Sequence, residues 1–215
     1  ANLMAIADLF QISVDELLSN EKSEKKQSNY IYESRTEYDI DGKKNFDIKL
    51  GGAYAVDLKA YHGEKIEVAM FSNVYKNLLA DYKVKIDDIK NRIDIDLNRF
   101  NEASEADAKE SLVITIFIPV KYIGKIELSV NARTLNITDI ENEHIEVNGK
   151  ISEVTLQGNK SEIEIDSNLD MQISVLSHEG AIEINQLSAT SRLTIPADYR
   201  FRSTKKGIAT HIYYE

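Results

Sequence analysis

Four glutamates recur along the chain at a near-constant step. They are Glu127, Glu146, Glu164 and Glu183, spaced 19, 18 and 19 residues apart. Each stands between two aliphatic residues, as in Ile126-Glu127-Leu128 and Ile163-Glu164-Ile165. A residue flanked this way points outward from a strand whose neighbours point inward. If successive strands stack in parallel, the carboxylates line up about 4.8 Å apart. Such a strip offers oxygen ligands to a hard cation. The favoured reading is instead a solvated acidic face whose repulsion salt screens, with the cation strip as the weaker alternative. Glu162 and Asp166 flank the same row, and Lys125 and His144 stand where they could relieve it.

Other chemistry is poorly represented. His62, His144, His178 and His211 show no spacing typical of a zinc site. Cysteine is absent, which excludes disulfides and thiolate metal ligands. No nucleophile elbow, phosphate loop or dinucleotide fingerprint is present. Ser177-His178-Glu179 is contiguous, which is not how a catalytic triad is built. Paired aspartates such as Asp94 and Asp96 suggest glycosidase chemistry, but the chain has no tryptophan on which to stack a sugar. The expectation is a binding protein rather than an enzyme, with no cofactor and no catalytic residue.

The segments between the glutamate strands carry a second row. Their outward positions are Phe117, Asn136, Thr155, Ser174 and Thr194, again 19 or 20 residues apart. This row has no charge. Asn136, Thr155, Ser174 and Thr194 are the candidate interaction face, because a flat neutral strand surface can meet another chain. A homodimer or an unknown protein or small-molecule ligand is the expected partner.

These rows require a particular scaffold. Apolar pairs at i and i+2 recur from Ile116/Ile118 to Leu193/Ile195 every nine to eleven residues. A plain meander does not readily sort its outward residues into two alternating rows of different chemistry. A coil of about 19 residues does, supplying one strand to each of two sheets. The expected fold is therefore mainly β, a two-sheeted parallel β-solenoid over residues 29–215, with an antiparallel sandwich as the alternative. Upstream, Phe46, Ile48 and Leu50 alternate with polar residues, as do Ile93, Ile95 and Leu97. Asn73 to Ala80 reads as a helical turn, and Asn98 to Ser111 as a polar loop.

The strand ending in proline within LVITIFIPVKYIGKIELSV (Leu112 to Val130) and the closing SRLTIPADYRF (Ser191 to Phe201) add a resemblance. Residues from about Asp39 to Ser203 resemble the bacterial "putative adhesin" β-solenoid domains of unknown function. The Ser-Gly turns usual in that family have only Asn148-Gly149, Gly158-Asn159 and Gly180 as counterparts here. The resemblance implies the fold and a surface role, and it brings no catalytic residues.

The first twenty residues are of another kind. Leu3, Ile6, Ala7 and Phe10 share one helical face. Ser13 and Glu16 then form a capping box, with Ile12 able to staple onto Leu17. This run resembles the last two helices of the phage-repressor-like (XRE-type) helix-turn-helix family, whose pattern ends NL..IA..F.VS.DELL. The resemblance implies a short α-helical remnant at 1–20, joined by a polar linker at 21–28, in a piece of a longer transcription regulator. DNA would then be bound only through helices upstream of Ala1, because the family reads the groove with an earlier helix. The formal net charge of −10 also disfavours nucleic acid on this chain. The resulting expectation is a sensory or oligomerisation domain of a cytoplasmic regulator. The alternative is an adhesin-like domain at the cell surface. No apolar run approaches the ~20 residues of a transmembrane helix.

Overall fold

The structure is a computed structural model and describes residues 30–101, 103–206 and 211. The expected helical remnant at 1–20 and linker at 21–28 lie outside the described residues.

Alternation of apolar and polar residues dominates the chain from Tyr32 onward, and it folds as β-strands. The strands are β1 (Tyr32–Asp39), β2 (Lys44–Tyr61), β3 (Lys65–Ser72), β4 (Tyr82–Ile89), β5 (Arg92–Arg99), β6 (Val113–Pro119), β7 (Ile123–Thr138), β8 (Glu141–Gln157), β9 (Asn159–Asp166), β10 (Met171–Val175), β11 (His178–Glu179), β12 (Ile182–Asn185) and β13 (Ser191–Thr194). All thirteen belong to one hydrogen-bonded mixed sheet, with a main path β1-β3-β6-β2-β7-β8-β10-β13.

The pairing is not parallel throughout. β1 with β3, β3 with β6, and β4 with β5 are antiparallel. The two-residue link between β4 and β5, with Lys90 at φ 57°, is short enough only for a hairpin. From β2 onward the ladder changes character. β2, β7, β8, β10 and β13 pair in parallel, as do β8, β9 and β12.

The long strands explain how one sheet encloses a core. β2, β7 and β8 run 18, 16 and 17 residues, and each carries two apolar sets separated by a corner. In β8 these are Ile145/Val147 and Val154/Leu156, all at most 1% exposed. Both sets enter the same buried cluster, so the sheet folds round one core. Each aliphatic side chain so buried contributes about 1.5–3 kcal/mol.

The corners need special backbone. Gly149 has φ 144°, and a Cβ there would lie 1.8 Å from the Val130 carbonyl oxygen. Gly180, at φ 126°, repeats this against the Ser161 carbonyl. Polar side chains stitch each corner to the next. The Lys150 amide donates to Asn131 Oδ1 at 3.0 Å, Ile140 to Asn159 Oδ1 at 3.0 Å, and Gly158 to Ser177 Oγ at 2.7 Å. Each of these bonds spans 19 residues of sequence, the same step as the glutamates.

Two short helices interrupt the first half. α1 covers Leu78–Asp81, at the end of the stretch expected to turn. α2 covers Glu105–Ser111, within the expected loop. Ser104 caps α2 by accepting from the Asp107 amide at 3.1 Å. Glu105 then accepts from Asn131 Nδ2 at 2.9 Å, and this bond is the largest cause holding its carboxyl below the usual range. No helix among the described residues is long and apolar enough to cross a membrane.

Candidate functional site

The glutamate row is formed by strand register alone. Glu127 pairs with Glu146, Glu146 with Glu164, and Glu164 with Glu183, each directly opposite on parallel neighbours. The inward neighbours hold the register, because a one-residue slip would turn Ile145, Ile163 and their equivalents to water. The row also continues further than the sequence step indicates. Glu127 stands opposite Asp47, Asp47 opposite Asp94, and Asp94 opposite Asp87. Seven acidic residues thus follow one another across seven strands.

The two halves of this ladder are neutralised differently. Asp47, Asp94 and Asp87 each have a cation two residues away on their own strand. Lys49 lies 2.8 Å from Asp47, Arg92 lies 2.6 Å from Asp94, and Lys85 contacts Asp87. The hydrogen bond to the aspartate is in each case the main cause that raises the pKa of the base. The glutamate half relies on amides and one imidazole. Asn148 Nδ2 donates to Glu146 and Asn185 Nδ2 to Glu164, both at 2.8 Å, and His144 Nε2 lies 3.8 Å from Glu164. Lys125 instead pairs with Glu143 at 3.2 Å. Glu162, opposite His144, and Asp166, opposite Asn148, lie on the same face. Among the described residues, no three acidic or histidine side chains gather around a point that could hold a metal ion. The carboxylates form a row, not a cage.

The neutral row is also in register. Asn136 pairs with Thr155, Thr155 with Ser174, and Ser174 with Thr194. Upstream of Asn136 the row passes to Asp57 and then to Thr115, not to Phe117, which lies opposite Lys59. The strand β6 enters two residues out of the expected phase. Asp57 brings one charge, which accepts hydrogen bonds from Asn136 Nδ2 at 2.8 Å and Thr115 Oγ1 at 3.3 Å. Beside the row lies a shallow open groove of 440 Å³ between β8 and β10. It is lined by Ser152, Glu153, Val154, Thr155, Asp170, Gln172 and Ser174. Hydroxyls, a carboxamide and two carboxylates face it, so its chemistry is hydrogen bonding.

The histidines remain apart. His178 is buried at 5% exposure. Burial is the main cause that lowers its pKa. Tyr199 donates its hydroxyl to the His178 carbonyl, so residues after Pro196 close over this corner.

No protein-family model matches the chain, and no curated protein matches it. Solved structures do. A "putative cell adhesion protein" from Clostridium sporogenes superposes with a TM-score of 0.51 at 8% identity, covering 77% of this chain and 99% of that one. A "putative adhesin" from Parabacteroides merdae aligns at 11% identity over 76% of this chain and 95% of that one, with a TM-score of 0.28. The first likeness is one of fold.

Proposed function

We propose that this chain is a non-enzymatic binding module of the adhesin type, a β-solenoid that presents a repetitive polar surface to a partner at the cell envelope. The observation that carries this reading is the neutral row Asn136, Thr155, Ser174 and Thr194, held in register beside an open hydrogen-bonding groove. The partner it suits is uncharged and rich in hydroxyl or amide groups. Repetition at the strand spacing of about 4.8 Å lets an extended partner engage several rungs together. The fold likeness to a protein named for cell adhesion supports the same reading. A regulator domain is the second reading, favoured by the helix-turn-helix pattern of residues 2–19 and by nothing in the comparisons.

Co-sedimentation of the purified chain with isolated bacterial envelopes tests the proposal. Saturable binding is expected, lost in a Thr155→Lys/Ser174→Lys variant and kept in Glu146→Lys. Absence of binding, or equal loss in both variants, would overturn it. A sequence-specific gel shift by this chain would favour the second reading.

A further inference from the structure

We propose that the basic segment 200–206, held beside the last strands of the ladder, docks this protein on an anionic lipid surface. The charge of the chain is unevenly placed. Its formal net charge is −10, yet from Arg192 to Lys206 five cations (Arg192, Arg200, Arg202, Lys205 and Lys206) meet one anion, Asp198. Five less one leaves +4 on that stretch, and −10 less +4 leaves −14 on the rest. All five cations are exposed.

Local structure places the segment. After β13 the chain bends at Ala197 and Asp198 and runs to residue 206 without helix or strand. Tyr199 anchors it, since its ring packs against the core and its hydroxyl donates to the His178 carbonyl on β11. Among the described residues β11 and β13 end the ladder, paired only with β9 and β10 respectively. Arg200 and Arg202 follow within three residues, so their backbone lies within about 11 Å of Tyr199. Phe201 between them is 56% exposed, and Leu187, in the link between β12 and β13, is 77% exposed.

Cations alone would suit any polyanion. An exposed phenylalanine between two arginines suits a surface whose phosphates lie over an apolar layer, which describes a bilayer and not a nucleic acid. Each guanidinium can give two donors to a phosphate. The acidic remainder of the chain does not forbid the approach. Rungs lie about 4.8 Å apart and the Debye length at physiological salt is about 8 Å, so carboxylates two or more rungs back are largely screened. Glu179 on β11 and Glu183 on β12 lie on the last rungs and offset part of the positive charge. The inference stands on charge and exposure at residues 192–206 and does not depend on the neutral row or its partner.

Flotation of the full chain with lipid vesicles tests it. Vesicles of equal parts phosphatidylglycerol and phosphatidylcholine should carry the protein, and pure phosphatidylcholine should not. Binding should fall steeply from about 0.1 M to 1 M salt, as the Debye length shrinks from about 10 Å to 3 Å. A Lys or Arg near an anionic surface strengthens binding about fivefold, so Arg200→Gln/Arg202→Gln should weaken it on the order of twentyfold. Phe201→Ser should weaken it severalfold with the charge unchanged. Lys76→Gln/Lys83→Gln removes the same charge on either side of α1, by β4 at the other end of the ladder, and should leave binding nearly unchanged. All these side chains are exposed, so each variant keeps the fold. No flotation with the anionic vesicles would overturn the proposal. So would binding that ignores salt, or equal loss in the two double variants. Equally tight binding of the unmodified chain to duplex DNA of arbitrary sequence would assign the segment to nucleic acid and also overturn it.

Discussion

Glu127 and Glu146 stand directly opposite one another on adjacent parallel strands, nineteen residues apart in the chain. Like charges in that position repel. The structure keeps them there because Ile126, Leu128, Ile145 and Val147 on either side are fully buried. The inward residues therefore decide the register, and the outward row bears its cost.

Relief of that repulsion should be measurable. Replacing Glu146 and Glu164 together by Gln keeps an oxygen to accept from Asn148 and Asn185 while removing two charges. The variant should melt higher than the parent at low salt, by an amount on the order of 1 kcal/mol. At 1 M salt, where the Debye length falls to about 3 Å, the gain should largely vanish. Lower melting at low salt would mean the row is paired with a cation.

Removal of an inward side chain should act the other way. Ile163 is 1% exposed and lies between Ile145 and Ile182 on neighbouring rungs. Ile163→Ala should cost about 3 kcal/mol in denaturant unfolding. An unchanged midpoint would contradict its place in the core.

The corner at Gly149 tolerates no side chain. Its φ of 144° is strained for an L-residue, and a Cβ would meet the Val130 carbonyl. Gly149→Ala should therefore destabilise by about 2 kcal/mol or more. Gly42, where a Cβ would meet nothing within 4 Å, should accept alanine with little change in the same melting assay.

Acid should weaken the corner at His178. Burial lowers its folded pKa below the ordinary value, and a backbone hydrogen bond with Ala181 and then the charge of Glu179 only partly oppose this. The folded state thus holds the ring neutral, while the unfolded chain takes up a proton near pH 6.5. Stability from this group is full above about 6.5 and is lost as pH falls through the folded pKa. Melting curves from pH 8 to 5 should show a steeper fall for the parent than for His178→Leu. Parallel curves would show that the ring does not govern the slope.

Much of the strand register in the second half was legible in the sequence, because one residue step sets both which residues pair and the identity of each outward residue. The inward Ile/Val/Leu pairs and the rows Glu127 to Glu183 and Asn136 to Thr194 follow from that step. The first half hides its place in the same rows. Asp47 and Asp94 sit in Phe46-Asp47-Ile48 and Ile93-Asp94-Ile95, triplets of the same pattern as Ile126-Glu127-Leu128. Their chain separation does not follow the step, because β2 lies between β5 and β7 and a hairpin joins β4 to β5. Pairing partners far apart in sequence leave no periodic trace. The phase error at Phe117 has the same origin, since β6 pairs with β2 and β3 rather than with a strand one 19-residue step away. The cations beside Asp47, Asp87 and Asp94 were visible as i and i+2 neighbours, but only the shared face shows that they serve one ladder.

The most direct measurement is the set of inter-strand NOEs in isotopically labelled protein across Glu127–Glu146–Glu164–Glu183 and Asn136–Thr155–Ser174–Thr194. Parallel rungs about 4.8 Å apart should give amide-to-α-proton contacts between each adjacent pair in both rows, and none between the two rows. Close α-proton to α-proton contacts between these strands, the mark of antiparallel pairing, would contradict the parallel register and with it the repetitive surface on which the proposed binding depends.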